Sequence, residues 1–67
     1  MTEVELLKYV AELALEVGDG SMYELEALRF LTDRGLTLEE ARSALANGEA
    51  AGHLERTADS HYRRASS

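Results

Sequence analysis

Cysteine is missing from all 67 residues, which excludes a disulfide framework and any thiolate metal site. No apolar run approaches the roughly 18 residues of a membrane-spanning helix. The first residues also lack the basic-then-apolar order of a signal peptide. These absences predict a cytoplasmic domain with no membrane partner. Lysine is scarce as well. Lys8 is the one lysine among seven basic residues, set against thirteen acids, for a net charge of −6. That balance argues against a generic nucleic-acid binder, because phosphate contact favours basic surfaces. Scarce lysine with abundant acid is also what a salt-adapted surface carries, and GC-rich codon bias produces the same pattern. On the salt-adapted reading the acidity loses force as an argument against DNA. There is no phosphate-cradling loop either, since Gly18-Asp19-Gly20 lacks the required spacing and lysine. Nothing suggests nucleophilic catalysis, a cofactor or a small-molecule substrate, so an enzyme is not expected.

A chain this short makes one domain and buries only about 60% of its unfolded surface. Its apolar content of 45% is ordinary for a globular protein. We expect residues 1–65 to form that domain and residues 66–67 a frayed tail. The charge is unevenly spread. Residues 1–33 hold Lys8 and Arg29 against eight acids, whereas residues 34–67 hold five arginines against five acids. The acidity therefore belongs to the first half.

Three helix starts carry a hydroxyl followed three residues later by glutamate: Thr2 with Glu5, Ser21 with Glu24, and Thr37 with Glu40. Each can form a capping box, the hydroxyl accepting from an orphan amide and the carboxylate reaching back to the cap. The first predicted helix runs from Glu3 to Val17 with Leu6, Val10, Leu13 and Val17 inward. Val4, Leu7, Ala11 and Leu15 widen its apolar arc beyond one packing contact, and they are the expected dimer or partner interface. The second predicted helix covers Met22 to Asp33, with Leu25, Leu28, Phe30 and Leu31 inward, and stops at Gly35. A connection of three or four residues then leads into a third helix from Leu38 to about Ala51. This is a tight helix–turn–helix joint. Leu38, Ala41, Ala44 and Leu45 should be buried there. Gly48 shares their face, which suggests close approach to a neighbour or an early fray.

After Gly52, the segments His53 to Thr57 and His61 to Ala65 alternate like strands, with Leu54 and Tyr62 as the inward pair. Ala58-Asp59-Ser60 forms the turn between them. His53 and His61 could meet across such a hairpin, but without a third ligand they read as surface histidines. The carboxylate pairs Glu39-Glu40 and Glu3/Glu5 read as helix caps rather than acid–base groups.

The order Arg42-x-Ala44-Leu45, then Glu49-x-x-Gly52-x-Leu54-Glu55-Arg56, then Tyr62-Arg63 resembles the winged helix-turn-helix family. The resemblance implies a small α+β fold of three helices followed by a two-stranded β-hairpin wing. It also implies DNA binding in a regulatory protein, with double-stranded DNA as partner. Arg42, Ser43 and Asn47 would then face the groove, and Arg56, Arg63 and Arg64 would contact the backbone. The outward face of the third helix, Glu39, Arg42, Ser43, Ala46 and Asn47, carries a single cation, and Gly48 stands where that family often has a bulky residue. The alternative is a protein–protein adaptor that docks through the first helix. The stretch Gly35-Leu36-Thr37-x-Glu39-Glu40-Ala41-Arg42-x-Ala44-Leu45 is also similar to the middle of a ubiquitin-associated domain. That resemblance implies a further short helix where this sequence is strand-like.

Overall fold

A computed structural model describes residues 2–57 and 59–65. The predicted frayed tail and the turn residue Ala58 lie outside the described residues. Six elements follow in order: α1 (Glu3–Val17), β1 (Ser21–Tyr23), α2 (Glu24–Thr32), α3 (Leu38–Ala50), β2 (Leu54–Arg56) and β3 (His61–Arg64). The strands make one antiparallel sheet in the order β1-β3-β2. The class is α+β, three helices with a three-stranded sheet. No described helix is long and apolar enough to cross a membrane.

Of the three expected capping boxes, the one at Thr37 forms in full, and at Thr2 only the hydroxyl cap forms. The Thr2 hydroxyl accepts from the Glu5 amide at 3.2 Å and donates to its carboxylate at 3.2 Å. Thr37 accepts from the Glu40 amide at 3.1 Å, while the Glu40 carboxylate accepts from the Thr37 N–H at 2.9 Å. That backbone bond, more than any other influence, holds the Glu40 carboxyl below its ordinary pKa.

The third box, at Ser21, does not form. Ser21, Met22 and Tyr23 are strand instead, paired with Arg63, Tyr62 and His61 respectively. The Glu24 amide then donates to the Ser60 carbonyl at 2.9 Å, so the hairpin rather than a serine hydroxyl satisfies it. The sheet consequently has three strands rather than the expected two, and α2 starts two residues later than expected. Pairing with a distant strand outweighs a local cap because it satisfies several backbone groups together and lays Met22 against the core.

The glycine stops after α2 and α3 have the same construction. The amides of Gly52 and His53 donate to the carbonyls of Glu49 and Gly48 at 3.1 and 2.9 Å. Gly35 and Leu36 repeat the pattern onto Thr32 and Leu31 at 3.0 and 3.4 Å. In each case a left-handed residue, with φ of 82° and 95°, lets the chain reverse while the last carbonyls stay bonded. Leu36 drops into the core at the second turn.

The core is a continuous cluster of Leu6, Val10 and Leu13 from α1, Ala27, Leu28 and Leu31 from α2, Ala41, Ala44 and Leu45 from α3, and Leu36, Leu54 and Tyr62. Of the other expected members, Val17 and Phe30 are partly buried against it, and two lie outside it. Leu25 is 64% and Leu38 52% exposed. Both lie in the first turn of their helices, off the centre of the buried stripe. Gly48, by contrast, is buried where α3 crosses α1 and β2. A Cβ there would stand 2.7 Å from Val10 Cγ1 and 3.2 Å from Leu54 Cδ1. The close-approach explanation of this glycine therefore holds, and the helix continues past it. Following α3 the chain is β-strand, so the helix implied by the ubiquitin-associated resemblance does not form.

Candidate nucleic-acid interface

The third helix is anchored by its buried face, and that leaves Glu39, Arg42, Ser43, Ala46 and Glu49 exposed. Asn47 is half-buried on the shoulder of the same helix. Between α3, the start of α2 and the sheet runs a groove of about 410 Å³. Its apolar lining is Leu28, Leu45 and Tyr62, with the exposed Leu25 at its rim. Arg42, Ala46 and Glu49 flank it from α3, and Glu24 and Arg56 flank it from the opposite side. Of the six residues expected to contact DNA, Arg42 and Arg56 are brought together on this groove. Ser43 lies beside it on the exposed face of α3.

Sheet register determines where the remaining arginines go. Arg56 stands opposite the buried Tyr62, so it shares the helix-facing side of the sheet. Arg63, one residue on, points from the other side, level with Ser21 and Glu55. Arg64 reaches back toward the turn after α1. Arg63 thus points away from Arg56, whereas Arg64, opposite Leu54, shares the side of Arg56 but is held toward the turn after α1 by Asp19.

Each of them also holds a carboxylate of its own chain: Arg56 with Glu24 at 3.7 Å, Arg63 with Glu55 at 2.7 Å, and Arg64 with Asp19 at 3.2 Å. The Arg63–Glu55 pair follows from direct cross-strand opposition. The other two join residues far apart in sequence, and no local signal announced them. Arg34 is likewise occupied, stacked 3.4 Å over the Phe30 ring and bonded to Glu12 at 3.3 Å.

Tyr62 closes the floor of the groove. Burial is the main reason its phenol stays protonated to higher pH than usual, and the neighbouring Glu49 carboxylate adds to this. The groove therefore presents a neutral hydroxyl beside a carboxylate.

His53 and His61 do not meet. The His53 carbonyl accepts from the Ala65 amide, whereas His61 faces Thr57, so the histidines occupy opposite ends of the hairpin. His61 Nδ1 lies 2.8 Å from the Asp59 carbonyl oxygen, and its ring sits edge-on to Tyr23 at 5.3 Å. Among the described residues no group of three potential ligands could hold a metal ion.

On the far side of the molecule, α1 turns Val4 and Leu15 outward, 77% and 76% exposed. Ala11 is exposed between them and Leu7 is half-buried. These are the four residues expected at an interface. Comparison with protein-family models, with curated proteins and with solved structures finds no match to this chain in any of the three.

Proposed function

We propose that this chain is a small DNA-binding regulatory protein of winged-helix type, with α3 laid in the major groove and Arg56 on a flanking phosphate. The observation that carries the reading is the placement of Arg42 and Arg56 on facing walls of one groove, beside the exposed face of α3. Arg42 can make two bonds to guanine, Ser43 suits several bases, and the Ala46 methyl fits against a thymine methyl. Freeing Arg56 from Glu24 costs little, because an exposed ion pair is worth about 0–1 kcal/mol. A phosphate offers the guanidinium a charge-assisted replacement. Glu39, Glu49 and Glu24 stand close by and repel phosphate, so they cap the affinity. Arg63 faces the other side of the sheet and Arg64 is held by Asp19, so neither takes part in this docking.

The test is Arg42→Ala against a panel of duplexes. Loss of about 1–3 kcal/mol of discrimination at one base position is expected. Identical sequence preference before and after the substitution would remove Arg42 from base readout.

A second reading, a protein–protein adaptor, is favoured by the exposed Val4 and Leu15 and by the net charge of −6. It takes precedence if no duplex is bound even at low salt.

A further inference from the structure

The outward stripe of α1 has a property that scattered surface hydrophobics lack. Val4, Lys8, Ala11 and Leu15 follow at steps of four, three and four, so they lie on one face of the helix. The spacing of that face is also symmetric about its middle, with a large apolar residue at each end and a lysine and an alanine between. The opposite face of α1, carrying Leu6, Val10 and Leu13, is spent on the core. Val4 and Leu15 are therefore accessible without disturbing the fold.

We propose that α1 pairs antiparallel with α1 of a second copy of this chain, forming a two-fold symmetric dimer. In that register Val4 packs against Leu15 of the partner subunit, and Leu15 against Val4 of the partner subunit. Every contact occurs twice and the assembly closes. Lys8 meets Ala11 of the partner subunit, whose small side chain lets the helices approach.

Charge selects the direction. A parallel pair in register would set Lys8 on Lys8, a like-charge contact at the centre of the seam. The antiparallel pair instead sets Lys8 beside Glu12 of the partner subunit. Glu12 already holds Arg34, yet its side chain is still 46% exposed and can accept a second cation. Lys8 is the only lysine of the chain, and it falls at the one place where the antiparallel seam uses it.

The size of the contact sets its strength. A 15-residue helix is about 22 Å long. A single helix pair of that length falls below the roughly 1,200 Å² of a standard interface. The dimer is accordingly weak and dissociates on dilution. It leaves the groove beside α3 uncovered, so the inference stands on observations separate from the DNA reading and is tested without DNA.

The absence of native cysteine makes the test clean. Val4→Cys with Leu15→Cys in one chain should oxidise to a covalent dimer of twice the 7.4 kDa monomer mass. Val4→Cys alone should not, because in the antiparallel pair the two copies of residue 4 lie about 16 Å apart along the axis. A disulfide needs Cα atoms within about 7 Å. Ser43→Cys, exposed on α3, supplies the background rate of random collision. Leu15→Glu should abolish the concentration-dependent dimer seen by sedimentation while the circular dichroism stays that of the parent. Crosslinking of the double variant no faster than Ser43→Cys overturns the proposal. So does efficient crosslinking of Val4→Cys alone, which would mean a parallel pair.

Discussion

Replacing Gly48 by alanine tests the tightest packing in the molecule. The added methyl would lie 2.7 Å from Val10 Cγ1, 3.4 Å from Val10 Cγ2 and 3.2 Å from Leu54 Cδ1. Leu54 can yield by moving a terminal methyl. Val10 cannot, being fully buried, and its β-branch is confined to one rotamer in a helix. Overpacking of this kind costs about 1–3 kcal/mol. Against it, alanine in place of a mid-helix glycine contributes roughly 1 kcal/mol of helix propensity. The clash wins, and the expected net loss is about 1 kcal/mol, which lowers the midpoint of thermal unfolding by about 4–8 °C in a domain of this size. Urea unfolding followed by circular dichroism reads the change directly. The decisive comparison is the same substitution in a Val10→Ala background. There the clashing methyls are gone, so Gly48→Ala should stabilise by up to about 1 kcal/mol. Reversal of sign between the two backgrounds identifies the contact as the cause. A Gly48→Ala chain as stable as the parent, with Val10 in place, would refute the close approach of α3 to α1.

Four further outcomes are expected. Ser60 adopts φ of 59°, a left-handed conformation that glycine tolerates better, so Ser60→Gly should raise stability by about 0.5–1 kcal/mol in urea unfolding; a less stable variant would mean that the serine makes a compensating contact. Thr37→Ala removes the cap of α3 and should cost about 1 kcal/mol. Glu40→Gln should flatten the acid limb, because the lowered pKa of Glu40 gives stability that is present above the unfolded value and lost as pH falls through the folded one; an unchanged acid limb in that variant would detach the Glu40 carboxylate from the cap. Tyr62 has a raised pKa, so its contribution is complete below the ordinary value of about 10 and is lost as pH rises through the folded value. Tyr62→Phe should reduce that alkaline loss, and an equally steep loss in the variant would assign it to other groups.

What was legible in the sequence was what is local. Thr2 with Glu5 and Thr37 with Glu40 announce their helices because a hydroxyl cap closes within one turn. Ser21 with Glu24 has the same letters and a different outcome, because β3 offers Met22 and Tyr23 a ladder that no local pattern reveals. Alternation correctly gave Leu54 and Tyr62 as inward residues of the hairpin. Alternation does not give register, and register sends His53 and His61 to opposite ends and turns Arg63 away from Arg56. The partners of Arg56 and Arg64 lie in the first half of the chain, which is where the excess acid resides. The surplus apolar residues of α1 were legible because Leu6, Val10 and Leu13 already suffice to bury one face. Leu25 and Leu38 misled for the complementary reason: a periodic pattern does not report where a helix end runs out of neighbours.

The most direct measurement is a duplex-DNA titration over a series of salt concentrations, made on the parent, Arg56→Ala and Arg63→Ala. Each phosphate neutralised contributes about −0.9 to the slope of log K against log salt. Binding should weaken with salt in the parent, and Arg56→Ala should make the slope shallower by about 0.9. Arg63→Ala, on the opposite side of the sheet, should leave it unchanged. No binding at low salt, or equal slopes in the parent and Arg56→Ala, would contradict the placement of DNA along the groove beside α3.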